Sequence, residues 1–290
     1  MKTSTLIITI LCLFRVCQQA QAQDEPAAYE VLANQANFWN PHADKPASIF
    51  VNMAYIRQEP SSRSQLIDSL AIGTPITFLD AEAINPTLIR GMLLPWQRIR
   101  YHKNNQAKEG YIWIGSVSLD QQKDEQSGLT FMHGFAWASV QDENNYYWVE
   151  AKVLDKQNQL LNSKGFAYFP SDQSYTTMEL HNNRGLLHSK NILEIFFSGE
   201  ACGISTETFT LSWNGSQLYE LPKTMGVSDA GIFYYGEELK YSKQKVEGKQ
   251  LIFKDIIQGE VIDETAEEPK YKETKKQERY TWDGQKYQLL

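Results

Sequence analysis

Cysteine is scarce in this chain: 290 residues carry three, and Cys12 and Cys17 lie within the first 22. Cys202 alone remains beyond them, so no intramolecular disulfide can staple that part, and stability must come from core burial and sheet hydrogen bonds. Basic charge is short as well. Lys and Arg number 28 against 35 Asp and Glu, a net charge of −7, which disfavours nucleic acid as a partner. After residues 6–14 no apolar run approaches the length of a membrane span. Capped amphipathic helices of three turns are missing too.

What is present begins with an export pattern. Met1 and Lys2 give a positive end, 6–14 form an apolar run too short to cross a bilayer, and Ala20-Gln21-Ala22 places small residues where a signal peptidase reads. The expectation is a signal peptide over 1–22 and export to the periplasm or the extracellular space, with no stable membrane span after cleavage. The remaining 268 residues hold 26 basic against 35 acidic side chains, a charge of −9. Lipid anchoring at Cys17 is disfavoured, because Phe14-Arg15-Val16 precede it where a small residue is wanted.

Residues 23–46, rich in Ala, Asn, Gln and Pro, read as a linker or arm. From Ile49 short β-rich runs dominate: 49–56, 65–70, 75–79, 96–101 and 110–114. Residues 120–127 contain no apolar side chain and predict a second linker. Strand signals resume at 129–140, 146–154, 165–169, 175–180, 192–197, 206–213, 217–221, 231–235, 250–257, 279–282 and 286–290. The fold class expected is all-β: a small barrel over 47–119, then a larger antiparallel domain over 128–290 as a sandwich, barrel or propeller-like array. Two segments echo each other, Trp213-Asn214-Gly215 and Trp282-Asp283-Gly284, and both predict β-hairpins with positive-φ two-residue turns. The charge run 260–276 predicts a solvated loop.

Within 47–119 the order Tyr55-Ile56-Arg57, Pro60-Ser61, Gly73-Thr74, Ile76-Thr77-Phe78, Trp96-Gln97-Arg98-Ile99 and Gly110-Tyr111-Ile112-Trp113 resembles a bacterial SH3 domain. The resemblance covers about a quarter of the chain. It implies a five-stranded barrel with a shallow aromatic groove for a peptide or sugar chain, in which Tyr55, Tyr101, Tyr111 and Trp113 are the candidate ligand-binding residues. The other reading of these rings is that they fill the barrel and its junction with the next domain. Two features depart from the family. Glu59 stands where a Gly commonly precedes the Pro-Ser pair, and 80–94 is an insertion positioned to cover or extend the groove.

Catalytic patterns are sparse. A cysteine peptidase of the kind that often follows such domains needs a histidine downstream of its thiol, and His188, the last histidine, precedes Cys202. His133, His181 and His188 show no zinc-binding spacing, calcium loops and phosphate loops are missing, and no cofactor is called for. A carboxylate pair drawn from Glu194, Glu200, Glu207, Glu237 and Glu238 stays open, because only a fold brings such residues together. Asn214-Gly215-Ser216 and Asp68-Ser69-Leu70 match short glycosylation patterns. The functional expectation is a non-catalytic binding or scaffolding protein of the bacterial envelope, with peptidoglycan or an envelope protein as partner. A wall hydrolase of unrecognised type and a structural assembly subunit are the alternatives.

Overall fold

Alternation of apolar and polar side chains dictates strands through most of the chain, and in the computed structural model the described residues form antiparallel strands with one short 3-10 turn, Ile114–Ser116. It describes residues 38–141, 144–229, 231–263 and 270–290. The signal peptide expected over 1–22, and 23–37 of the expected arm, lie outside the described residues. Among the described residues no helix is long and apolar enough to cross a membrane.

The described residues form three sheets, none closed into a barrel. The first holds β1 (Pro46–Ser48), β2 (Met53–Arg57), β3 (Leu66–Ala71), β4 (Pro75–Phe78), β5 (Ile84–Ile89), β6 (Met92–Lys103) and β7 (Gln106–Trp113), in the order β1-β4-β6-β7-β2-β3 with β5 beside β6. The second holds β8 (Asp120–Lys123), β9 (Thr130–Gln141), β10 (Asn144–Leu154) and β11 (Leu160–Tyr168), in the order β11-β10-β9-β8. The third contains β12 (Tyr175–Asn182), β13 (Asn191–Ser198), β14 (Thr206–Trp213), β15 (Leu218–Glu220), β16 (Thr224–Asp229), β17 (Phe233–Val246), β18 (Lys249–Asp263), β19 (Lys270–Trp282) and β20 (Tyr287–Leu289).

The second and third sheets face each other across an aromatic core. Tyr168 stacks on Phe197 with ring centres 3.9 Å apart, Phe166 on Phe209 at 4.3 Å, and Phe131 meets Trp213 edge-on at 6.3 Å. Each such pair contributes about 0.5–1.5 kcal/mol beyond the burial of its area. His133 is sealed in the same layer. Its Nε2 lies 3.0 Å from the Thr176 hydroxyl, and burial pushes its pKa down to about 3.

Three expectations are corrected here. Phe38 and Trp39, within the expected arm, are core residues: Phe38 meets Phe135 and Phe197 edge-on, and the Trp39 indole donates to the Val117 carbonyl at 3.0 Å. Asp120–Lys123, expected as linker, is strand β8. It joins by polar means, pairing with β9 along its backbone while the Asp120 carboxylate accepts the Met178 N–H at 2.9 Å and Gln122 donates to the Met178 carbonyl. The described part of 260–276 is strand rather than loop, since β18 and β19 pair from Gln250↔Trp282 out to Asp263↔Lys270.

The echoing hairpins are present with a different turn. Trp213 pairs with Leu218 and Trp282 with Tyr287, so each loop has four residues, and within each Asn-Gly or Asp-Gly pair only the glycine has positive φ. The Asn214 side chain accepts the N–H groups of Ser216 and Gln217, and Asp283 accepts those of Gln285 and Lys286. These are Asx turns, in which the side chain replaces a backbone acceptor.

Candidate functional site

The four rings expected to line one groove part company. Tyr55 is 55% exposed on β2, and Tyr111 is half-buried on β7. Tyr101 is 2% exposed, its hydroxyl donates to Asp68 at 3.1 Å, and burial together with that carboxylate pushes its pKa up to about 12. Trp113 is 3% exposed, and its indole N–H is shared between the carbonyls of Leu94 at 3.0 Å and Thr87 at 3.1 Å. The insertion explains this burial. Its strand β5 pairs with β6 and supplies Thr87, whose hydroxyl also accepts the Trp96 indole N–H at 2.8 Å. Tyr101 and Trp113 are therefore core rings, as in the second reading of these residues.

A different set of rings meets solvent, on the outer face of the second sheet. Part of that face is covered by the first sheet, where Lys152 donates to the Phe50 carbonyl at 3.1 Å and sits 4.0 Å from the Phe50 ring centre. Burial lowers the Lys152 pKa, and Glu150, 3.3 Å away, works against the shift. Beyond this junction stand Trp137, Trp148, Tyr146 and Phe169. Trp137 and Trp148 are cross-strand partners, with ring centres 5.8 Å apart and planes 14° from parallel. Tyr146 lies 5.5 Å from Trp137 and 5.8 Å from Phe169, which continues the row.

Local backbone geometry creates this row. In a regular strand Trp137 would share the inward face of Phe135, two residues before it. The register shifts at the Trp148–Val149 step, where Trp148 pairs with Trp137 but Val149 pairs with Phe135, leaving Ala136 as an extra residue on β9. A bulge of this kind re-aims a side chain: Phe135 stays in the core, Trp137 turns outward to 37% exposure, and Ala138 returns inward. The Trp148 ring then lies over Gly165 of β11, so closely that a Cβ there would fall 2.3 Å from the indole nitrogen. Only glycine permits that approach. With Trp137 nearly parallel to it, the two indoles stand side by side on the outer face of the sheet. Phe169 is 54% exposed at the end of the row.

A cleft of about 600 Å³ continues from Trp148 along the free edge of β11. The stacked Phe166 and Phe209 contribute to its lining, Lys164 and Glu220 pair across it at 3.1 Å, and the Lys223 ammonium sits 4.7 Å from the Phe209 ring centre. Apolar area with a few placed charges is the usual make-up of a ligand site. Sequence reasoning placed all four exposed rings in or at the ends of strands but missed the row. The available signal was aromatic residues at both parities of one strand, Tyr146-Tyr147-Trp148, opposite Phe135 and Trp137 on its neighbour.

The residues considered for chemistry lie in the second and third sheets and their loops. Cys202 is exposed in a turn of the third sheet, His133 is enclosed against Thr176, and His181 contacts Glu194 at 3.1 Å. Among the described residues no hydrogen bond joins Cys202 to a histidine. Of the acidic candidates, Glu194 pairs with Arg184 at 3.0 Å, Glu207 with Lys223 at 2.6 Å, Glu237 with Lys254 at 3.5 Å and Glu238 with Lys240 at 3.2 Å. Comparison with protein-family models, with curated proteins and with solved structures finds no match to this chain.

Proposed function

We propose that this chain is an exported envelope protein that binds peptidoglycan without cleaving it, laying glycan strands across Trp137, Trp148, Tyr146 and Phe169. The observation that carries this reading is the bulge at Ala136, which takes an indole out of the core and sets it beside a second one. Contiguous exposed apolar rings mark interaction sites on protein surfaces. Flat rings suit the apolar faces of sugars, while the acidic balance of the chain, −7, speaks against the nucleic-acid bases that also stack on such rings. On this reading the first seven strands are a diverged bacterial SH3 module whose inserted strand β5 has filled the family's groove, so that recognition has moved to the second sheet.

Sedimentation with purified sacculi tests the proposal. The wild-type protein is expected in the pellet, and Trp137→Ala or Trp148→Ala is expected to weaken retention about tenfold or more, since losing a buried Trp anchor costs about 2 kcal/mol. Equal retention of both variants would place binding elsewhere. Release of dye from labelled sacculi would make the protein a hydrolase, and co-purification with one fixed protein partner without sacculus affinity would make it an assembly subunit.

A further inference from the structure

The third sheet carries a second constellation, away from the aromatic row. β12 and β13 run antiparallel with Glu179 directly opposite Glu194, and His181, two residues along β12, shares their face. Like charges directly opposite on one sheet face repel, yet here the two carboxylates converge on one imidazole. His181 Nε2 is 3.1 Å from Glu194 Oε2 and 3.2 Å from Glu179 Oε2, and one donor atom from each residue lies within 4.8 Å of the others. We infer that Glu179, His181 and Glu194 bind a zinc-type divalent cation.

Distance supports this first. Zinc bonds to nitrogen and oxygen run about 2.0–2.2 Å in tetrahedral geometry, which holds ligand atoms roughly 3.3 Å apart. Two of the three separations already stand near that value, so an ion is accommodated by small side-chain rotations. Orientation supports it next. Arg184 donates to Glu194 Oε1 at 3.0 Å, the oxygen that faces away from His181, which fixes the carboxylate and leaves Oε2 for the metal. Outer partners of this kind are how proteins aim their ligands. The Tyr241 hydroxyl on β17 is buried without a hydrogen-bond partner among the described residues. Glu194 and Arg184 are among its charged neighbours. Glu179 is open to solvent, so the fourth coordination position is reachable from outside. An imidazole with two carboxylates selects borderline transition metals over magnesium or calcium.

The rival account is His181 hydrogen-bonded to the two carboxylates with no metal, and titration of the purified, chelator-treated protein with Zn²⁺ and Co²⁺ separates the two. One ion per chain is expected, with visible Co²⁺ absorption bands that His181→Ala removes while lowering affinity more than about 100-fold. Arg184→Ala is expected to weaken binding about tenfold with the bands retained, and His188→Ala, altering an exposed turn residue outside the cluster, is expected to change nothing. Glu179→Gln provides a second test should His181→Ala misfold, and it should lower affinity while keeping the fold by circular dichroism. Binding that survives both His181→Ala and Glu179→Gln, or the lack of stoichiometric binding to the wild type, overturns the site.

Discussion

The two ends of the third sheet are held by different physics. Strand β13 is packed on both sides, with Leu193, Ile195 and Phe197 in the aromatic core and Ile192 against Leu186, Ile252, Tyr280 and Trp282. Away from that packed end, β17, β18 and β19 carry charge on both faces. On one face Lys254 lies between Glu237 at 3.5 Å and Glu278 at 3.1 Å, and on the other Asp255 lies between Lys240 at 2.8 Å and Gln277 at 2.7 Å. One sheet can thus be written in two ways, by burial or by cross-strand ladders of complementary side chains.

The largest effect that would break this contrast is a cavity. Phe197→Ala removes the ring stacked on Tyr168 and is expected to destabilise by about 3–5 kcal/mol, read as a lower denaturant midpoint at unchanged slope. The corresponding truncation in the ladder region, Ile256→Ala, should cost less than about 1 kcal/mol. Equal losses would mean that the ribbon depends on packing as much as the sandwich does.

Acid sharpens the contrast next. His133 in the folded protein titrates at about 3, below its ordinary 6.5, so between those values the unfolded chain binds a proton that the folded chain refuses. Stability is therefore unaffected by this group above pH 6.5 and falls as pH drops toward 3, by about 2 kcal/mol at pH 5. His133→Gln should flatten the stability profile between pH 7 and 5. A profile unchanged by the substitution would show that the ring is not sealed.

How much of this was legible follows from the same division. Residues that obey period two, such as those of β12, declare a strand at once, and Asn214-Gly215 and Asp283-Gly284 declare their hairpins through turn chemistry. The ribbon does so only at 231–235, 250–257 and 279–282, because Lys270–Trp282 satisfies its strand through partners up to 32 residues away, and the local signal along the rest is a charge run. Phe38 and Trp39 were hidden for a related reason: two apolar residues in a polar, proline-flanked stretch carry no periodicity, and only the sheets they pack between give them a core. The aromatic row was half legible. Trp137 and Trp148 were placed on strands, but their exposure depends on one extra residue in the register, and reading alternation straight through Ala136 puts Trp137 indoors.

The smallest expected effect tests the ladder itself. Asp255 sits among partners that are all partly exposed, and its pKa is lowered by the hydrogen bonds from Lys240 and then Gln277. A lowered carboxylate pKa contributes stability that is present above its ordinary value and lost as pH falls through the folded one. Exposed pairs are worth about 0.2–1 kcal/mol and are screened by salt. Asp255→Asn should therefore cost less than about 1 kcal/mol at low salt and near nothing at about 1 M, where the Debye length shrinks to about 3 Å. Phe197→Ala should lose as much in high salt as in low, since burial of a ring owes nothing to counter-ions. If the two variants answer salt alike, the ladder is not what holds the ribbon, and burial of Ile256, Ile257 and Phe253 along β18 becomes the better account.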